Sequence, residues 1–354
     1  MNKIIERYLK NTKNKYAYLL EEDKFPIAEY ITTGNYALNA LISGDPEKGI
    51  PSGRVIQFSG EASVGKSYIS LDIVKQAQQL GYSIFYFDTE GANHYTQLID
   101  RGVDPTSFVH IPCDVLKSVQ ADVLKLMDGV DSGEKVMIVI DSIGNLLSTK
   151  EYEDSRIDSG KRDMTKSQEL KSLFRTMVLP SAAKNIPVIV VNHEYSTLEL
   201  YSKKVQSGGT GPQYLSSITV SMSKSKEIEG AAKTVIGSGV RCTSVKNRFG
   251  KEKSQVRIVI DYAKGITKHS GLFDVASEVG AITSPKNGWY KIEGDEKLYR
   301  KKEFHNTSPI WKTLFDGGLA DKIIAQYTYA NSIEQKETEE IDEFAGEENS
   351  VEES

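Results

Sequence analysis

Eight consecutive residues, Gly60-Glu61-Ala62-Ser63-Val64-Gly65-Lys66-Ser67, fit the pattern G-x-x-x-x-G-K-[ST] without a mismatch. Glycines let such a loop wrap closely, so that backbone N–H groups face phosphate oxygens. An apolar run, Val55–Ser59, precedes the loop and a helical pattern follows it, which is the context the motif needs. The helix N-terminus then adds partial positive charge beside the anion. In this arrangement Lys66 reaches the β- and γ-phosphates and the Ser67 hydroxyl binds Mg²⁺. ATP and Mg²⁺ are the expected ligands.

Three further positions supply the rest of a phosphoryl-transfer site. Val136–Asp141 is an apolar run ending in a carboxylate, which places Asp141 near the Mg²⁺ shell. Phe87-Asp88-Thr89-Glu90-Gly91 ends the strand after the P-loop helix, and a carboxylate there, Glu90, can position and deprotonate an attacking water. Asn192-His193 ends another apolar run, at the sheet edge where ligands bind in open α/β folds. A lone histidine is more often a packing residue, so position alone does not give His193 a role.

These residues need elements to hold them. From Ile31 to about Lys264, apolar runs at Val55–Ser59, Ile84–Asp88, Val136–Asp141 and Val188–Asn192 alternate with helical stretches at Ser67–Leu80, Leu116–Leu126 and Ser167–Ala183. That alternation predicts an α/β fold with a mostly parallel sheet covered by helices. Three later runs, Ile218–Ser223, Val235–Val245 and Gln255–Ile260, are expected to extend the sheet as antiparallel strands. Ile4, Ile5, Tyr8 and Leu9 make one apolar face of a short N-terminal helix, docked either on its own domain or on a neighbouring subunit. The expected units are an N-terminal helix or arm (1–30), an ATPase core (31–265), a small C-terminal α/β domain (266–330) and a disordered acidic tail (331–354).

The 354 residues include 44 Lys+Arg and 49 Asp+Glu, for a net charge of −5. Taken whole, that balance argues against a nucleic-acid partner. Between Glu334 and Ser354, however, ten carboxylates face one lysine; the tail carries −9 and the rest of the chain +4. Two cysteines, Cys113 and Cys242, are too few for a disulfide framework or a metal cluster and suit a reducing compartment. Neither a secretory signal nor a membrane span is evident, so the expected location is the cytoplasm.

Taken together, the motifs resemble the RecA-type recombinases, in particular the strand-exchange proteins of T-even phages. The resemblance is carried by Asp141-Ser142-Ile143-Gly144-Asn145, Lys171-Ser172-Leu173-Phe174-Arg175, Lys184-Asn185-Ile186-Pro187, Gly208-Gly209-Thr210-Gly211-Pro212 and Pro285-Lys286-Asn287-Gly288-Trp289-Tyr290. It spans about residues 30 to 330 and implies a RecA-like P-loop core. It also implies an ATP-dependent strand-exchange protein that forms a helical filament on single-stranded DNA, with ATP between subunits, and pairs it with homologous duplex in recombination, repair and replication. By that resemblance Glu90 is the catalytic base and His193 senses the γ-phosphate. Lys246 and Arg248, read alone as a solvated basic turn, become cations offered to the neighbour's ATP. The adenine-stacking aromatic of these relatives falls near Gln97, which makes Tyr95 the nearest candidate.

Two polar loops, roughly 151–165 and 194–209, are expected to face the DNA. The resemblance puts Met164 and Leu198 between base triplets, and Arg175, Lys203, Lys204, Ser207, Gly208 and Gly209 on the backbone; Tyr214 becomes an interface aromatic. Phosphate contacts and stacking wedges give binding without sequence preference. A recombination mediator and a single-strand-binding protein are expected partners. The alternatives are a hexameric motor of the same core, replicative helicase-like, and a non-catalytic regulator.

Overall fold

In the computed structural model the described residues are 2–91, 95–154, 165–196, 204–207, 209, 211–229, 234–263 and 265–329. Met164, Leu198, Lys203, Gly208 and the acidic tail lie outside them. The helices are α1 (Lys3–Asn11), α2 (Tyr36–Ser43), α3 (Lys66–Gln79), α4 (Tyr95–Asp100), α5 (Leu116–Gly129), α6 (Thr149–Asp154), α7 (Thr165–Lys184), α8 (Gly211–Leu215), α9 (Leu272–Glu278), α10 (Ile310–Asp316) and α11 (Leu319–Tyr327). A two-stranded ribbon joins β1 (Tyr30–Ile31) and β2 (Ile50–Pro51). The main sheet holds β3 (Val55–Gly60), β4 (Ser83–Asp88), β5 (Phe108–Pro112), β6 (Val136–Asp141), β7 (Val188–Ser196), β8 (Lys204–Gln206), β9 (Ile218–Glu229), β10 (Val235–Asn247), β11 (Gln255–Asp261) and β12 (Gly265–Ile266). A small antiparallel sheet follows, of β13 (Ile282–Lys286), β14 (Trp289–Ile292) and β15 (Leu298–Tyr299).

Strands β9-β3-β7-β6-β4-β5 are mutually parallel, as the alternation of apolar runs and helices implied. Strand β10 pairs antiparallel with β9, β11 with β10, and β8 with β7. Two expectations fail. The Ile218 run does not join the sheet as an antiparallel strand: it enters beside β3 in the same direction, with Ile56 opposite Ile218, and only its other edge, against β10, is antiparallel. The long connection from β7 through α8 is enough for a crossover, which parallel neighbours require. The second failure is β5, which the apolar pattern does not reveal. As the outer strand it is half exposed, and it lacks the continuous apolar run of a central strand.

Side chains alternate between the two faces of a strand, and the core divides accordingly. Ile56, Phe58, Met137, Val139 and Ile189 join a cluster with α2, α3 and the C-terminal helices. Val55, Ile138, Ile140, Val188 and Val190 join a second cluster with Leu170, Leu173, Phe174 and Met177 of α7 and Val119 and Val123 of α5. Each fully buried side chain of this size contributes about 1.5–3 kcal/mol. Burial on both faces is therefore what turns the central strands into unbroken apolar runs.

Candidate nucleotide site and the loops beside it

Parallel register brings the chemistry to one edge. Gly60 pairs with His193, and Asp88 with Asp141. His193 does not end its strand, since β7 runs on to Ser196. Between these paired residues and the start of α3 lies a cavity of about 570 Å³, lined by the P-loop residues 62–67 and by Glu90, Asp141 and His193. Two loop glycines are sterically required. A Cβ on Gly60 would lie 2.4 Å from the Met222 carbonyl, and Gly65, at φ +98°, would drive one to 2.3 Å from Ile260 Cδ1. Helix α3 starts at Lys66 and leaves its first N–H groups without intrahelical partners at the cavity.

Lys66 is 5% exposed, and its Nζ donates to the carbonyls of Gly60 (2.9 Å) and Glu61 (2.7 Å). Burial lowers its pKa, with Asp141, Glu90, Glu194 and Glu61 opposing. The ammonium is held in place with donors that a phosphate can take over.

Asp141 is 3% exposed, and Tyr86 donates its hydroxyl to Oδ2 at 2.6 Å. The other oxygen, Oδ1, is buried with no hydrogen-bond partner among the described residues. Burial raises the Asp141 pKa, with the Ser67 and Tyr86 hydroxyls opposing and Glu90 and Asp88 adding to the rise. A hard divalent cation beside Ser67 and Oδ1 would satisfy that oxygen and offset the clustered negative charge, so the donor set fits Mg²⁺.

Glu90 is held from two sides: its Oε1 accepts from Asn145 Nδ2 at 3.0 Å and lies 3.2 Å from His193 Nε2. The turn bearing it is pinned by Asp88, whose Oδ1 accepts from the N–H groups of Glu90 and Gly91, both at 2.9 Å. Asp88 Oδ2 meets His110 Nε2 at 2.9 Å. Burial alone would raise the Asp88 pKa, but the His110 and backbone hydrogen bonds outweigh it and hold the carboxyl below its usual range. Gly144 leaves room for His193, since a Cβ there would come within 2.8 Å of the ring.

The structure thus gathers Gly60 through Ser67, Glu90, Asp141 and His193. Tyr95 is not part of the cavity: it opens α4 and is 69% exposed. Besides His193, the cavity's ring side chains are Tyr68, with the Arg101 guanidinium 4.2 Å over it, and Tyr262. Lys246 and Arg248 also lie off the cavity. Lys246 Nζ donates to the carbonyls of Gln213 and Tyr214 on α8, and burial lowers its pKa.

Arg175 is exposed on α7, and Tyr214 is exposed on α8. The base of the second loop is fixed. Lys204 pairs with Ser196 at the open end of the β7–β8 ladder, Ser207 N donates to the His193 carbonyl at 2.9 Å, and Gly209 sits at φ +75°. Sequence reasoning missed Tyr86, Asp88, His110 and Asn145. Asp88 and Asn145 stood inside recognised motifs, whereas Tyr86 and His110 carried no signal of their own. It also missed a cavity of about 540 Å³ on the antiparallel extension, in which Lys224, Arg241, Arg257 and Lys301 outnumber the one carboxylate, Asp274, that pairs with Lys301 at 3.4 Å. Arg241 and Arg257 face each other across β10 and β11, and Arg241 Nε is buried without a hydrogen-bond partner among the described residues.

Two outcomes are expected. Tyr86→Phe should weaken Mg²⁺-dependent nucleotide binding by roughly 10-fold and leave Mg²⁺-free binding unchanged in titrations. Because the folded pKa of Asp88 is depressed, its stabilisation is complete above the unfolded value near ~4 and is lost as pH falls through the folded value. Asp88→Asn should therefore lower the denaturant midpoint at pH 7, with the gap to the parent chain closing below about pH 4.

A family model described as the RecA N-terminal domain matches residues 3–267, and a second, for the C-terminal domain of the bacteriophage T4 recombination and repair protein, matches 269–318. The chain is 34% identical over 328 residues to the recombination and repair protein of Enterobacteria phage T4, covering 89% of this chain and 83% of that protein. It is 30% identical over 289 residues to Protein RecA of Streptomyces rimosus, covering 81% and 74%. The crystal structure of the RadB recombinase shares the fold at a TM-score of 0.50 and 21% identity, covering 67% of this chain and 99% of that one. No described helix is long and apolar enough to cross a membrane. Family models over nearly all of the described chain, and relatives aligned along most of their own length, lead to one conclusion: the chain belongs to the RecA recombinase family.

Proposed function

We propose that this chain is an ATP-dependent DNA strand-exchange recombinase acting as a helical filament on single-stranded DNA. One observation carries the reading: the P-loop, Asp141, Glu90 and His193 share a cavity, and the strand bearing His193 runs on into the second loop. Bound Mg²⁺ supplies charge neutralisation at the phosphates. Glu90, oriented by Asn145 and His193, accepts a proton from the attacking water. Lys66 transfers its donors from the Gly60 and Glu61 carbonyls to phosphate oxygens. Tyr68, Arg101 and Tyr262 form the wall suited to the base, in place of Tyr95.

Lys246 and Arg248 lie away from their own cavity, which fits cations offered to a neighbour's nucleotide; comparable cations elsewhere accelerate hydrolysis ~10³–10⁵-fold. Assembly has two complementary surfaces. The α1 face of Ile4, Ile5 and Tyr8 is exposed and buries nothing, and beside the outer strand β5 lies a groove of about 700 Å³ lined by Phe85, Phe87, Ile111 and Leu126. An N-terminal arm from one copy filling this groove on the next would repeat along a filament. Exposed Tyr214 would lie at the same junction.

The two loops, with Arg175, Lys203, Lys204, Ser207, Gly208 and Gly209 on phosphates and Met164 and Leu198 as wedges, would hold the first strand. The basic cavity around Arg241 would take incoming DNA. The acidic tail competes for these basic surfaces. The setting is the cytoplasm, with a mediator and a single-strand-binding protein as partners.

A strand-exchange assay with a homologous single strand and duplex should give product only with ATP. Closed rings without filaments in electron micrographs would instead favour the hexameric motor. Glu90→Gln is expected to lower ATP hydrolysis by about 10²-fold or more while single-strand binding stays intact. Arg241→Ala should weaken duplex uptake and reduce its salt slope by about 1, with single-strand affinity unchanged.

A further inference from the structure

Glu194 follows His193 on β7 and points to the opposite face, away from Glu90. It is a carboxylate only 5% exposed, and no ion pair among the described residues includes it. Its partners are neutral donors. Ser59 Oγ donates to Oε1 at 2.5 Å, Ser221 Oγ to Oε2 at 2.9 Å, and Gln206 Nε2 to Oε1 at 3.3 Å. Gln206 Nε2 also donates to Ser59 Oγ at 3.1 Å, and its Oε1 accepts from Gln57 Nε2 at 2.7 Å.

A neutral side chain would fill this space without the desolvation cost of a buried charge. The connections explain the charge better than the packing does. Ser59 is the penultimate residue of the strand that becomes the P-loop, next to Gly60, whose carbonyl now accepts from Lys66. Gln206 lies on β8, the strand that returns from the second loop, opposite Glu194 itself. Charge-assisted bonds are about twice as strong as neutral ones, so one carboxylate ties these two strands more tightly than an amide would.

We infer that Glu194 is a positioning residue that couples phosphate occupancy of the P-loop to the β7–β8 hairpin carrying the second loop. When a phosphate draws Lys66 away from Gly60, the Gly60–Ser59 end is free to shift, and Glu194 passes that shift to Gln206. The coupling rests on the nucleotide site under Proposed function, whereas its effect on DNA rests on the loop reading given there.

Amide hydrogen exchange over residues 188–207, with and without a slowly hydrolysed ATP analogue and Mg²⁺, tests the coupling without DNA. The parent chain should show nucleotide-dependent protection of the hairpin. Glu194→Gln, and independently Gln206→Met, should lose most of that difference while nucleotide affinity stays within twofold. In parallel, the ratio of oligo(dT) affinities with the ATP analogue and with ADP should fall roughly tenfold in both variants. No nucleotide-dependent protection in the parent overturns the inference, as does full retention of it in either folded variant. Equal loss of protection with and without nucleotide also overturns it, because that is the result of a purely structural role. Hairpin coupling without any nucleotide effect on oligo(dT) binding would uphold the latch and sink the DNA reading.

Discussion

Parallel pairing makes every central strand finish at the same edge, and the whole site depends on that constraint. Three of the groups sit at strand ends, Gly60, Glu90 just beyond Asp88, and Asp141, while His193 lies within β7, and all four come from segments far apart in the chain. Register sets their spacing: Gly60 beside His193, Asp88 beside Asp141. The apolar runs that hold the register are buried on both faces, so a slip would misplace two cores together. The chemistry is therefore as rigid as the sheet.

At that edge the protein concentrates charge in a poorly solvated space. Lys66 is opposed by carboxylates that cost energy to bring together, and each is fixed by a specific neighbour. Tyr86 holds Asp141, and His110 with two backbone N–H groups holds Asp88. Asn145 and His193 hold Glu90. Preorganised dipoles and charges of this kind need little rearrangement when a phosphate and its metal arrive, which is how a fixed site stabilises developing charge. Glu194 extends the same principle to the back of the sheet, where a buried carboxylate joins strands that carry different loops.

The edges of the molecule serve a different purpose. The half-exposed strand β5, the uncovered apolar face of α1 and the facing arginines of β10 and β11 are each unfavourable or unfinished within one chain. A neighbouring copy or a polyanion would complete them. The net charge of −5 concealed this, because the acidic tail masks a body whose cations gather at particular surfaces.

Residue order alone determined the P-loop, the strand ending in Asp141, the position of Glu90 and the parallel core. Each depends on local spacing or on burial of a continuous apolar run, and both are written in consecutive residues. Tertiary structure decided what depends on distant residues meeting. Tyr86 finds Asp141 only because β4 lies beside β6, and His110 finds Asp88 only because β5 lies beside β4. Strand β9 runs parallel because a long crossover lets it, and periodicity carries no strand direction. Tyr95 lies outside the cavity for the same reason: the wall of Tyr68, Arg101 and Tyr262 is assembled from three separate segments, which proximity in sequence does not reveal. Spacing along a chain reports what a segment can do, while direction, neighbours and burial arise only when the segments pack.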